Sequence, residues 1–135
     1  AYGTRKIRKV DKIRIKPKGS LSAQRAFCYV DDIIKGIQIA SERNTGVNVY
    51  NIGNTEMLSI RELLDKIANK FSVDYVIEDT KDTHVGGTQA RCPDISKIKA
   101  LGFAPAIDIS TGLDKTIEWY KDNFNDLLNK KSETY

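Results

Sequence analysis

Arg25 stands directly ahead of "AFCYVDDII", a short apolar and aromatic run that ends in two aspartates and then resumes with isoleucine. A guanidinium presents a planar fork of donors that can pair bidentately with phosphate oxygens, and it stays charged at any working pH. On its own, Arg25 reads either as an anion-binding group aimed by the elements around it or as a solvated surface charge. Two acidic pairs, Asp31 with Asp32 and Glu78 with Asp79, have the composition of an acid/base site, but a helix entrance and an acidic turn account for them. His84 is the one histidine, so clustered imidazoles cannot hold a metal. No G-x-S-x-G elbow is present for a serine nucleophile. Cys28 and Cys92 have no second cysteine at metal-ligand spacing. They read as two reduced, mostly buried thiols, with a single disulfide between them as the alternative.

These residues need elements to position them. Phe27 to Val30 is rich in aromatic and branched residues and predicts a short strand. Asp31 is placed to cap the following helix, where both aspartates suit the positive end of the dipole. Ile33, Ile34, Ile37 and Ala40 then form one helical stripe. "GVNVYNIGN" (46–54) predicts a second strand. Ser59-Ile60-Arg61-Glu62 has the form of a capping box, opening a helix with Ile60, Leu63, Leu64, Ile67, Ala68 and Phe71 on its apolar face. "VDYVIED" predicts a third strand. The loop "TKDTHVGGTQARCP", where Gly86 and Gly87 permit close backbone approach, leads to a short helix from Asp94 that Gly102 stops. Leu113, Ile117, Tyr120, Phe124 and Leu127 mark a long last helix. Three alternations of strand and helix predict an α/β class, a small, partly parallel sheet with packed helices.

A chain of 135 residues suits one domain and can bury roughly two thirds of its unfolded surface without a disulfide or metal staple. Its composition, 40% hydrophobic and 30% charged, is that of a soluble globular protein. The apolar stretches fall far short of the roughly twenty residues that cross a bilayer, and the first residues lack the apolar core of a signal peptide. A cytoplasmic location without membrane contact is expected.

The net charge of +4 is unevenly spread. Residues 1–18 carry Arg5, Lys6, Arg8, Lys9, Lys12, Arg14, Lys16 and Lys18 against the single acid Asp11. This reads as a basic leader containing one short strand, "KIRIK", ahead of an α/β domain at 19–128 and a frayed tail at 129–135. Such an arm could grip nucleic acid, but Tyr2 is its only aromatic for stacking on bases, so a solvated leader is the simpler reading.

The blocks "RAFCYVDDIIKGI", "VYNIGN", "SIRELL", "PDISKIKALGFAP" and "GLDKTIEWY", in that order, resemble the C-terminal part of NAD-dependent nucleotide-sugar epimerases and dehydratases. These belong to the extended short-chain dehydrogenase/reductase family. The resemblance covers roughly Gly19 to Phe124 and rests on the order of the blocks rather than on any one. It implies the substrate-binding part of an extended Rossmann-type enzyme. In that family the arginine ahead of the strand holds the diphosphate of a UDP-, dTDP- or GDP-linked sugar, which implies that role for Arg25. A second basic group approaches the same phosphates about ten residues before the "DISK" aspartate. Here that place holds His84, whose charge depends on pH near neutrality. Arg91 is a further candidate, or else a surface charge.

The same resemblance shows what the sequence lacks. Binding of NAD by the parent enzymes needs a strand, a glycine-rich turn and a helix start, and no G-x-G occurs among the nine glycines. Tyr2 and Lys6 match the family's Y-x-x-x-K spacing, which puts both side chains on one helical face. They stand at the start of a short basic segment unlike the buried helix that normally carries the pair. Leu21 also stands where the family has a glycine. The expectation is a nucleotide-sugar-binding region that binds no cofactor by itself and is not catalytic alone. It should self-associate or pair with a cofactor-binding domain. The rival reading is a non-catalytic interaction scaffold derived from that fold.

Overall fold

The computed structural model describes residues 12–78 and 87–132, with side chains to Phe124. Tyr2, Lys6 and His84 lie outside the described residues. The elements run β1 (Ile13–Ile15), β2 (Gln24–Ala26), α1 (Val30–Arg43), β3 (Met57–Ser59), α2 (Ile60–Phe71), β4 (Tyr75–Ile77), β5 (Ala90–Arg91), α3 (Ser96–Lys99) and α4 (Ile109–Ser132). Two small sheets form. β1 pairs in parallel with β4, Ile13 opposite Tyr75 and Ile15 opposite Ile77. In the second sheet β2 is central, antiparallel to β3 and parallel to β5. The class is thus mixed α/β with partly parallel sheets, as the alternation of elements predicts.

Ile95, Ile98 and Phe103 make the fully buried core, and Ile39, Ala40, Tyr50, Ile52 and Leu101 pack around it. α1 approaches this cluster through Gly36. A Cβ there would stand 2.5 Å from Ile52 Cγ2 and 3.3 Å from Phe103 Cε2, so the contact is too close for a side chain. α3 follows Asp94, whose carboxylate accepts the Ser96 amide at 2.9 Å. It gives way to a turn at Gly102, whose φ of +93° suits a residue without Cβ. α2 opens on the expected capping box. Ser59 Oγ accepts the Glu62 amide at 3.1 Å while Glu62 Oε2 accepts the Ser59 amide at 2.8 Å.

Several expectations change. The strand beside Arg25 is Gln24–Ala26, not Phe27–Val30, because β3 and β5 supply partners only there. Arg25 therefore lies within the strand, and Phe27 to Tyr29 form the link to α1. Tyr29 occupies the N-cap in an extended conformation with no side-chain cap bond, so Asp31 is not the cap; it pairs instead with Lys115 at 3.4 Å. Ile34 and Ile37, expected to share a core-facing stripe, are exposed, since the close approach at Gly36 turns a different face of α1 inward. Residues 46–54 form no strand. Tyr120 and Phe124 of α4 are also exposed, and that helix runs into the stretch expected to fray. Both cysteines are free, and Cys92 is exposed rather than buried. Among the described residues, no helix is long and apolar enough to cross a membrane, and no group of His, Cys, Asp or Glu could hold a metal ion.

Candidate functional site

β2 and β5 bring two of the candidate residues together. Arg25 and Arg91 are Cα partners on neighbouring parallel strands, and residues opposite one another in a sheet present their side chains on the same face. Leu58 of β3 flanks Arg25 on the other side. The half-buried Arg25 donates from Nη1 to its neighbour's carbonyl, Gln24 O, at 2.6 Å and from Nη2 to Thr88 O at 3.0 Å. Exposed Arg91 donates from Nη2 to Thr88 Oγ1 at 3.3 Å. Thr88 thus stands between both guanidiniums, accepting from one through its carbonyl and from the other through its hydroxyl. No sequence pattern points to this residue, because only the pairing of β5 with β2 places it there.

The strand pairing is itself braced. Gln24 donates its amide to Gln89 O at 2.8 Å, and Gln89 Nε2 donates to Ser22 O and Ser22 Oγ, both at 3.0 Å. Ser22 Oγ lies 2.7 Å from Ser20 Oγ. The segment leading into β2, where Leu21 replaces the expected glycine, is therefore tied to the segment leading into β5. Gly87 precedes Thr88, and a Cβ there would meet nothing within 4 Å. Packing against the described residues does not demand that glycine.

The electrostatics favour an anion. Two adjacent like charges repel, and the ion pairs of the described residues join Arg14 and Lys16 to Glu78, Lys70 to Asp114 and Lys115 to Asp31. None involves Arg25 or Arg91. Their guanidiniums use some of their ten N–H donors on neutral oxygens and keep others for a ligand rich in acceptors. The cavity bordering Leu58 on this sheet, lined also by Phe27, Asn54, Glu56 and Ile109, holds about 10 Å³, room for roughly one water. A ligand larger than a water does not fit that cavity.

α1 is fixed beside this sheet by Asp32. Its carboxylate is 3% exposed and accepts the Ala106 amide at 3.1 Å and the Ile107 amide at 2.9 Å. The aspartate thus ties the start of α1 to the chain entering α4. Beside it, burial first and the Asp32 charge second push the Cys28 thiol above its ordinary value.

At two of the strand-to-helix junctions among the described residues there is no glycine-rich turn: the β2–α1 link is Phe27-Cys28-Tyr29 and β3 passes directly into α2 at Ser59-Ile60.

Comparison with known proteins bears on the chain's family and fold. No family model matches the chain. It is 33% identical over 97 residues to dTDP-glucose 4,6-dehydratase of Streptomyces griseus, a match covering 71% of this chain and 30% of that enzyme. It is 30% identical over 105 residues to GDP-L-fucose synthase 1 of Arabidopsis thaliana, covering 78% of this chain and 32% of the relative. The structure of UDP-glucuronic acid 4-epimerase from Bacillus cereus, in complex with UDP-glucuronic acid and NAD, superimposes with a TM-score of 0.71 at 26% identity, over 81% of this chain and 35% of the epimerase. The chain spans about a third of the length of the curated relatives it matches. By sequence and by fold, it belongs with the nucleotide-sugar epimerases and dehydratases of the extended short-chain dehydrogenase/reductase family, and corresponds to a part of such an enzyme.

Proposed function

We propose that this chain is the nucleotide-sugar-binding, C-terminal part of a cytoplasmic epimerase or dehydratase, with the binding domain spanning residues 19–128. Arg25 and Arg91 grip the diphosphate of a UDP-, dTDP- or GDP-linked sugar, and His84, which lies outside the described residues, adds a third donor. The observation that carries this reading is the pair of guanidiniums on one sheet face, joined through Thr88 and without an acidic partner among the described residues. A diphosphate supplies the charge and the several acceptor oxygens that such a pair is built to meet.

The chain's own contribution is to bind and orient. NAD and the residues of the redox step belong to another part of the enzyme, with which this part pairs, and the chain alone does not turn over. Because Arg91 is exposed and Arg25 only half-buried, their grip is screened by salt, so binding by the isolated chain is best measured at low ionic strength. The test is a thermal-shift panel of UDP-glucose, dTDP-glucose and GDP-mannose. Stabilisation by at least one sugar nucleotide, lost in Arg25→Ala, supports the proposal. No stabilisation by any of them returns the chain to the scaffold reading.

A further inference from the structure

A cavity of about 210 Å³ lies where the β2–α1 link, α2 and the start of α4 meet. Phe27, Cys28 and Tyr29 of the link line one side, and Leu63 and Ile67 of α2 line another. Ile107 and Leu113, before and within the start of α4, complete it. None of these side chains is fully buried, so a small molecule can reach the cavity from solvent.

Its walls are set without a ligand. The Asp32 carboxylate holds the Ile107 amide at 2.9 Å. α4 lies so close to the link that a Cβ at Gly112 would stand 3.3 Å from Tyr29 Cδ2, and Lys115 Nζ sits 5.1 Å from the centroid of the same ring.

The polar groups at the cavity are used within the fold. Thr116 donates its hydroxyl to Gly112 O at 2.7 Å. Asp108 Oδ1 accepts the Ser110 and Thr111 amides at 2.8 and 3.0 Å, and Oδ2 accepts the Thr111 hydroxyl at 2.8 Å. Only the Cys28 thiol is free among the lining side chains that carry a donor hydrogen beside it, and burial with the Asp32 charge keeps it protonated at neutral pH. No basic side chain lines the cavity, and Asp108 sets a negative charge at its edge. An anion would meet a carboxylate and no cation, and a sugar would leave its hydroxyls without partners. An apolar ring forfeits nothing polar, gains contact with Phe27 and Tyr29, and offers its face to the weak S–H donor. Size agrees, since an apolar cavity of about 150 Å³ holds benzene.

We propose that this cavity is a binding site for a small neutral aromatic molecule, benzene to indole in size, separate from the anion grip at Arg25 and Arg91 and independent of that reading. The test titrates indole into the full 135-residue chain, followed by amide and methyl NMR. Saturable shifts centred on Leu63, Ile67, Ile107 and Leu113 are expected. At saturation, modification of Cys28 by a disulfide reagent should slow at least about 5-fold, with Cys92 unaffected. Benzoate, with a ring of similar size and a full negative charge, should bind at least about 10-fold more weakly. Leu63→Phe and Leu113→Phe fill the cavity and should each weaken indole binding by about 10-fold or more. Should either variant fail to fold, the comparison of indole with benzoate and the protection of Cys28 in the wild-type chain still decide. Shifts that do not saturate or centre elsewhere, equal binding of benzoate, or an unchanged Cys28 rate would overturn the proposal.

Discussion

Arg25 and Arg91 stand opposite one another on adjacent parallel strands and converge on Thr88, Arg25 on its carbonyl and Arg91 on its hydroxyl. Only the second of these bonds uses the Thr88 side chain. Thr88→Val should therefore release Arg91 and leave Arg25 in place, weakening sugar-nucleotide binding by less than about 5-fold. Arg25→Ala, which deletes charge-assisted bonds worth about 1.5–3 kcal/mol each, should weaken it by at least about 10-fold. Arg25→Lys keeps the charge and loses the fork, and should fall between them. Calorimetric titration at low salt separates the three; equal affinity across the series would show that the anion sits elsewhere.

Asp32 accepts from two amides, Ala106 and Ile107, that have no other acceptor among the described residues. Asp32→Ala leaves both without an acceptor in a site that is 3% exposed, and each stranded amide costs about 1–3 kcal/mol. Loss of about 2–5 kcal/mol in urea unfolding is expected. Asp32→Asn keeps one acceptor oxygen of the same shape and should lose less. If Asp32→Ala matched the wild type, the tether would carry no stability.

Legibility in the sequence divides along physical lines. The capping box at Ser59 and Glu62 and the stop at Gly102 were readable because each depends on residues a few positions apart. The strand at Arg25 was misplaced because its register is set by Leu58 and Arg91, far away in sequence. The same distance hid Thr88. Asp31 and Asp32 looked alike as helix-entrance acids, and only the fold separates them, one pairing with Lys115 and the other buried under Ile107. Residues 46–54 have a strand's pattern, but a pattern names a face and not a partner. No strand is formed there among the described residues, so that β pattern went unrealised.

Gly36 is predicted to resist the most conservative substitution. Alanine would raise helix propensity by about 1 kcal/mol, but its Cβ would come 2.5 Å from Ile52 Cγ2. That methyl sits on a branched Cβ with little rotamer freedom, and it packs against the core rather than reaching into solvent. Overpacking of this kind costs about 1–3 kcal/mol, so Gly36→Ala should lower the urea midpoint. A raised midpoint would mean that α1 can retreat from Ile52 without cost.

The two thiols should differ in reactivity. Cys92 is exposed, whereas Cys28 is half-buried and its thiol is pushed up by burial and by the Asp32 charge. Since the thiolate is the nucleophile, a disulfide reagent at neutral pH should modify Cys92 first and Cys28 in a distinct slower phase. Cys92→Ser should leave only the slow phase. One phase of uniform rate would contradict the environment assigned to Cys28.

Acid should weaken the fold through carboxylates that are bonded when folded. The Asp108 carboxyl is held below its ordinary value by the Thr111 amide first and the Thr111 hydroxyl second, with Oδ1 accepting the Thr111 amide at 3.0 Å at the start of α4. Glu78 is held down by Lys16 and then Arg14. A depressed folded value means that the stabilisation is present above the unfolded carboxyl range, near pH 4, and is lost as pH falls through the lower folded value. Urea midpoints should therefore drop between about pH 5 and pH 2. Asp108→Asn retains an oxygen that can still accept the Thr111 amide but cannot titrate, so its midpoint should lie close to wild type at low pH and fall less steeply across that window. Glu78→Gln removes both basic partners' charge attraction and should flatten the same window by its own share. An unchanged slope in both variants would place the acid sensitivity in other carboxylates.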